Sequence, residues 1–178
     1  LNAPLTSFIS SNALLLKPTA NEFVKKVILR KHFYSSIYEI SNEFYNEFVK
    51  INISAGKNKF PITNITWIEA AKFCNWLSNK EGLKEVYKIE GDVLVDFDLN
   101  RDGYRLPTEA EWEWMARKAN KKSQSIFTWG VNKKIPKLSG NLADESAKGK
   151  VDLYIPGYND GFSNLSPIGS FPREPSGL

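Results

Sequence analysis

The sequence has very little of the side-chain chemistry on which most metal- and thiol-dependent proteins rely. It contains one cysteine, Cys74, and one histidine, His32, among 178 residues. The chain can therefore form no internal disulfide, and it cannot build a zinc site from its own histidine and cysteine side chains. Cys74 lies on a helical stripe with Ala70 and Leu77, which predicts a small buried side chain and not a reactive thiol.

Long hydrophobic runs and concentrated charge are also missing. No segment reaches the roughly 18 consecutive apolar residues that a membrane-spanning helix needs. Leu1 to Leu16 lacks the basic start of a signal peptide and is interrupted by Pro4, so the sequence assigns no compartment. The net charge of +4 is scattered over short lysine pairs. Without a basic stripe, a nucleic-acid-binding surface is not expected.

Aromatic residues, in contrast, are abundant, at 13% of the chain. The length suits one domain with a real core. Residues 1–22 are predicted to be a loosely ordered leading segment, and residues 23–178 a single domain. The expected elements are a strand from Phe23 to Tyr34, a helix capped by Ser41 or Asn42, a helix from Trp67 to Asn79 and a hairpin from Tyr87 to Phe97.

Beyond Lys122, glycine, proline, asparagine, aspartate and serine recur every few residues and no helical period is visible. Such a long irregular region needs something that organises it, for example a bound ion or a partner surface. Short strands, three helices and this irregular region together predict an α+β fold rich in irregular loops.

The segment Gly103–Trp114 contains a turn and the start of a third helix. Pro107 favours extended geometry before it, and Thr108 with Glu111 three residues later forms a capping box. Helical spacing predicts one buried face, formed by Trp112, Met115, Ala116 and Ala119.

The amino-acid sequence of this segment resembles that of the formylglycine-generating enzyme family, also called the sulfatase-modifying-factor domain. Similar stretches occur in family order at residues 38–42 (YEISN), 61–67 (PITNITW), 70–77 (AAKFCNWL), 129–130 (WG), 141–144 (NLAD), 160–162 (DGF) and 167–172 (PIGSFP). The similarity covers Phe23 to Leu178, and chance agreement of several ordered motifs is improbable. The resemblance implies a variant of the C-type-lectin fold.

One calcium candidate is a match to the EF-hand formula D-x-[DN]-x-[DN]-G-x5-E from Asp98 to Glu109. The context argues against it, because strand-like residues precede Asp98 and Arg105 takes a position that is normally aliphatic. Thr108 also commits Glu109 to the first turn of a helix. The favoured interpretation is a turn made by Asx side chains.

The resemblance implies a different calcium site in the irregular region. By motif, the ligands would be the side chains of Asn141 and Asp160 and the backbone carbonyls of Leu142 and Phe162. Hard oxygen donors of this kind suit Ca²⁺. The alternative is that Asn141 and Asp160 only support turns.

The resemblance also implies an oxidase that turns a sulfatase cysteine into formylglycine, using O₂ and copper held by two cysteines in the C-terminal part of the domain. Residues 1–178 contain no such cysteine pair, so no catalytic or cofactor-binding residue is assigned and the domain is expected to be incomplete at its C-terminus.

The predicted function is a non-catalytic binding or scaffold module with a protein or peptide as candidate partner. The alternative is part of a copper-dependent oxidase with its cysteine pair beyond residue 178. A sulfoxide synthase of the ergothioneine pathway is disfavoured, since its iron site needs histidines and the chain has one.

Overall fold

The computed structural model describes residues 8–10, 26–51 and 56–178, with side chains from residue 27 onward. It divides into two compact units: unit 1 contains Leu1–Tyr38 and Thr108–Leu178, and unit 2 contains Glu39–Pro107. Both helices and small antiparallel sheets are present, which makes the fold α+β as predicted. Within the described ranges, no helix has the length and apolar character needed to cross a bilayer.

Unit 1 places one helix against a short strand pair. Strand β1 (Phe8–Ser10) runs antiparallel to β2 (Lys26–Ile28), and helix α3 (Glu109–Arg117) begins at the predicted capping box. The strand expected over residues 23–34 ends at Ile28, and residues 23–25 lie outside the described ranges. Val27, Leu29 and Phe33 pack on the core of α3, although residues 29–33 form no strand.

The core of unit 1 corrects the predicted helix face. Trp114, Met115 and Ala119 are buried, whereas Trp112 is 62% exposed. Glu111 lies on the buried side as well, and its carboxylate accepts from the Thr108 amide at 2.8 Å. Trp112 is about 200° away from Trp114 around the helix axis and therefore faces solvent.

Unit 2 is built on two capped helices. Helix α1 (Asn42–Val49) starts at Ser41, whose hydroxyl accepts from the amide of Phe44. Helix α2 (Trp67–Lys80) starts at the predicted Thr66–Glu69 capping box. Aromatic rings join the two helices in one core, with Phe73 contacting Phe44 and Tyr45 at centroid distances of 5.4 and 5.3 Å.

A hairpin packs on the other side of α2. Strands β3 (Tyr87–Glu90) and β4 (Val93–Phe97) are antiparallel and turn at Gly91, whose φ of +60° favours glycine. The buried side chain of Asn75 donates to the Tyr87 carbonyl at 2.6 Å and accepts from the Tyr87 amide at 3.2 Å. Asn75 thus replaces a missing strand neighbour, and the family-like segment around Cys74 serves to attach the hairpin.

The region beyond Lys122 is irregular, as predicted. Its only described helix is a 3-10 turn at Glu145–Ala147, and paired backbone elsewhere consists of isolated bridges. Asp144 and Ile155 form one of the parallel bridges. These bridges set the geometry of the site considered next.

Candidate functional site

The two segments that carry the predicted calcium ligands lie next to each other in unit 1. The amide of Leu142 donates to Oδ2 of Asp160 at 2.7 Å, and the amide of Phe162 donates to Oδ1 of the same side chain at 2.8 Å. The amide of Ile155 donates to the carbonyl of Ala143 at 2.7 Å and holds the return segment in register. The Asp160 carboxylate is therefore the junction between the two predicted ligand segments.

A second carboxylate supports this junction, and the sequence analysis did not single it out. Asp144 is fully buried and accepts from the Asp160 amide at 2.5 Å. It also accepts from the amide and the hydroxyl of Ser146, at 2.8 and 2.6 Å. Burial on its own would raise the pKa of Asp144, but the hydrogen bonds from Ser146 and Asp160 outweigh it and lower the pKa below its ordinary value.

The signal for Asp144 was present in the sequence as an aspartate two residues before Ser146, the spacing of an Asx cap. Burial decides its importance, however, and no local pattern reports the burial of one aspartate among many in a loop-rich region. Tyr158 was missed as a support for the same reason. Its hydroxyl accepts from the Ser139 amide at 3.1 Å and donates to the Gly140 carbonyl at 3.0 Å, which fixes the approach to Asn141.

The oxygen atoms expected to bind calcium are open within the described part of the chain. Asn141 uses its Nδ2 to donate to the Asn164 carbonyl at 2.6 Å, which leaves Oδ1 without a donor. The carbonyls of Leu142 and Phe162 likewise accept no hydrogen bond from a described residue. Each oxygen of Asp160 accepts one amide and keeps a lone pair. This donor set fits a hard divalent cation.

The charges point the same way. Neither Asp144 nor Asp160 forms an ion pair with any Lys, Arg or His of the described residues, although both are at most 8% exposed. The described ranges contain no group of three His, Cys, Asp or Glu side chains able to hold a metal. The predicted ligand set is of another kind, since it combines one carboxylate with an amide and two backbone carbonyls.

The EF-hand-like loop is occupied by protein contacts instead. Oδ1 of Asp98 accepts from the Asn100 amide at 2.9 Å, which is the predicted Asx turn, and Oδ2 lies 3.7 Å from Nε of Arg101. Asp102 accepts from the Lys84 amide at 3.0 Å. Gly103 allows the backbone to pass Lys84, because a Cβ there would come within 2.1 Å of the Lys84 carbonyl oxygen. These contacts hold the loop of residues 98–103 against Lys84.

Comparison with known proteins decides the family. The profile described as the sulfatase-modifying factor enzyme 1-like domain matches residues 7–178. The chain belongs to this family.

Relatives in the sulfatase-modifying factor family have different described roles. The chain is 30% identical over 131 residues to a protein named chaperone protein LppX from Paenibacillus barcinonensis, covering 65% of this chain and 46% of that protein. It is 29% identical to the mouse (Mus musculus) formylglycine-generating enzyme, covering 68% and 24%. It is 28% identical to the inactive C-alpha-formylglycine-generating enzyme 2 of Bos taurus, covering 66% and 28%. The chain thus spans less than half the length of each of these curated relatives.

Among solved structures, Treponema denticola variable protein 1 is similar with a TM-score of 0.48 and 25% identity. The match covers 69% of this chain and 54% of that one.

The one cysteine of this family member is part of the core of unit 2. Cys74 packs with Ala71, Val86 and Tyr87 in a buried cluster, as the sequence predicted. Burial raises the pKa of the Cys74 thiol to about 11. The thiolate, which is the nucleophilic and metal-binding form, is therefore scarce at neutral pH.

Proposed function

We propose that residues 1–178 act as a non-catalytic binding or scaffold module of the sulfatase-modifying factor family, with the family's C-type-lectin-like variant fold. The observation that carries this proposal is the state of Cys74. It is the sole cysteine of the sequence, it is buried, and its pKa is raised to about 11. A soft copper ion held by paired thiolates has no ligands among these residues. The bovine relative, which is named as inactive, shows that the family contains members without this catalysis.

We further propose that Ca²⁺ stabilises the module at Asn141, Leu142, Asp160 and Phe162. The open oxygen donors and the unpaired carboxylates of Asp144 and Asp160 support this proposal. When bound, the ion supplies positive charge that offsets the two carboxylates. The protein's own hydrogen bonds hold the two ligand segments together: Asp160 links them, and Asp144 fixes the backbone of Asp160.

A second candidate is part of a copper-dependent oxidase that converts a sulfatase cysteine to formylglycine. The likeness to the mouse formylglycine-generating enzyme favours it. It requires a cysteine pair outside these 178 residues, since Cys74 cannot form one alone.

The two candidates are separated by an activity measurement. The 178-residue protein is incubated with a cysteine-containing peptide, Cu(I) and O₂, with the mouse enzyme as positive control, and the peptide mass is followed. We expect the peptide cysteine to remain a thiol. Replacement of the thiol by an aldehyde would contradict the proposal. The Cys74→Ser variant is the matched control, because any conversion that disappears with it would make Cys74 catalytic.

A further inference from the structure

A cavity of about 440 Å³ lies in unit 1, and none of the four predicted calcium ligands is among the residues that line it. Three stretches form its walls: residues 121–130 after α3, residues 136–139, and residues 172–175. Its volume lies within the range of known ligand sites. None of the roles discussed so far uses it.

The walls of the cavity are fixed before any ligand arrives. Trp129 stacks on Phe127 with a centroid distance of 4.8 Å and an interplanar angle of 7°, and its indole N–H donates to the Asn132 carbonyl at 2.9 Å. Phe127 and Gly130 exchange two backbone hydrogen bonds beneath it. Pro136 and Pro172 restrict the other two walls. A preformed wall lowers the entropy lost on binding.

Leu138 is the most unusual residue of the cavity. Its φ is +60°, a left-handed conformation that a branched side chain rarely adopts, and its side chain is 53% exposed. An apolar side chain held toward solvent in an unfavourable backbone conformation points to a functional requirement. Together with Trp129, it offers an apolar surface to an incoming side chain.

The charges of the cavity are predominantly positive. Lys121, Lys137 and Arg173 line it, and Glu174 is the one acidic residue of the lining. The Lys121 ammonium donates to the carbonyls of Ala116 and Thr128 and to the Ser125 hydroxyl, so its donors are used within the protein. Lys121 therefore contributes positive potential to the floor of the cavity and not a direct contact.

Arg173 and Lys137, in contrast, keep donors for a ligand. The Arg173 guanidinium lies over the Tyr38 ring at 5.9 Å and makes one long contact of 3.5 Å to the Tyr38 hydroxyl. Its other N–H groups have no acceptor among the described residues. Lys137 is exposed and makes no hydrogen bond or ion pair with them. Two cations beside an apolar wall complement a carboxylate that is attached to an apolar group.

We propose that this cavity binds a peptide segment of a partner protein that presents an Asp or Glu carboxylate next to an apolar side chain. The carboxylate is bound by Arg173 and Lys137, and the apolar side chain lies against Trp129 and Leu138. The inference rests on the proposed function as a binding module and names the chemistry of its partner.

Calorimetric titration tests the proposal with the full 178-residue chain. The probe is the capped peptide Gly-Asp-Phe-Glu-Gly, and the comparison peptide has Asn and Gln in place of Asp and Glu. We expect binding of the acidic peptide that weakens with added salt, and none of the amide peptide. Arg173→Gln should weaken binding by about tenfold, whereas Arg173→Lys should weaken it less.

Two further variants separate binding from folding and from net charge. Asn tolerates the left-handed backbone conformation of residue 138 better than Leu does. Leu138→Asn should therefore keep or raise the melting temperature of the protein while it weakens binding of the acidic peptide. Lys133→Gln removes one exposed charge of the same loop outside the cavity and should leave affinity for the acidic peptide unchanged.

Three results of the titrations would overturn the proposal: equal binding of both peptides, no binding of the acidic peptide, or a loss of affinity with Lys133→Gln equal to that with Arg173→Gln. So would binding of phenylacetate in the absence of peptide binding. Cysteine conversion in the activity measurement would refute the proposed function and leave the effect of Arg173→Gln standing.

Discussion

At the scale of single residues, the predicted calcium site depends on two buried carboxylates, one of which accepts the backbone amide of the other residue. The Asp160 amide donates to Asp144, while the Asp160 carboxylate accepts the amides of Leu142 and Phe162. Hydrogen bonds stabilise both carboxylates, and no basic side chain among the described residues forms an ion pair with either of them. A cation at the open oxygens of Asn141 and Leu142 would supply that opposite charge.

Calcium is therefore expected to stabilise the folded protein by mass action. At a Ca²⁺ concentration about 100 times the Kd, the melting temperature should rise by about 5–10 °C. Asp160→Ala should abolish this rise. Asp98→Ala is the matched control and should keep it, because Asp98 is engaged with Asn100 and Arg101. Differential scanning fluorimetry measures the melting temperature of each variant with and without Ca²⁺. A rise that is lost with Asp98→Ala and kept with Asp160→Ala would place the ion in the loop that contains Asp98.

The sequence could name individual residues only where a motif or a local rule applied to them. Asn141 and Asp160 came from the resemblance, and Cys74 from its position on a helical stripe. Asp144 was not recognised, because its importance follows from burial. Trp114 lies one helical turn from Glu111, Arg117 and Lys118, so helical spacing did not predict its burial.

At the scale of secondary-structure elements, helix starts were the most predictable features. Thr66–Glu69 and Thr108–Glu111 form complete capping boxes, and Ser41 caps α1. Capping satisfies amides within four residues of the helix start, so the information is local. The hairpin turn at Gly91 was equally local. Strand β2 ends at Ile28, earlier than predicted, although Leu29 and Phe33 still pack on the core of α3.

The α2 capping box should make stability depend on pH in the acid range. Hydrogen bonds from the amide and then the hydroxyl of Thr66 lower the pKa of Glu69. A carboxyl whose folded pKa is depressed contributes stability that is full above its ordinary value of 4.5 and is lost as pH falls through the folded pKa. Glu69→Gln should lower the melting temperature by a few degrees at pH 7 and have a shrinking effect toward pH 3.

Urea titrations of both proteins across this pH range would check the expectation. Glu39→Gln serves as control, since Glu39 is exposed and makes no hydrogen bond within the described ranges. A Glu69→Gln effect that does not change with pH would mean that the glutamine retains the cap and that the charge of Glu69 is unimportant.

At the scale of the whole molecule, the irregular half of unit 1 carries both candidate sites. Residues beyond Lys118 form isolated bridges and one 3-10 turn, so their order depends on side chains such as Asp144, Asp160 and Tyr158. Few apolar contacts and many exposed backbone groups are typical of regions that open locally at low free energy. An ion that joins residues 141 and 160 would close that opening.

Limited proteolysis should therefore respond to calcium in one region only. Lys148 and Lys150 are exposed and lie between Asn141 and Asp160. Trypsin cleavage after them should be slower with Ca²⁺ than with a chelator, as judged from fragment masses. Cleavage after the exposed Lys57 of unit 2 is the internal control and should not change. Equal protection at Lys57 would indicate a general effect of the ion and would argue against a site at residues 141–162.

The sequence by itself determined the family, the capped helices, the hairpin turn and the core position of Cys74, because each depends on a motif or on neighbours within a few residues. Tertiary structure alone decided which tryptophan of α3 is buried and that Asp144 supports Asp160. It alone also brought Trp129, Leu138 and Arg173 around one cavity. These outcomes depend on contacts between segments far apart in the chain, and periodicity carries no information about such contacts.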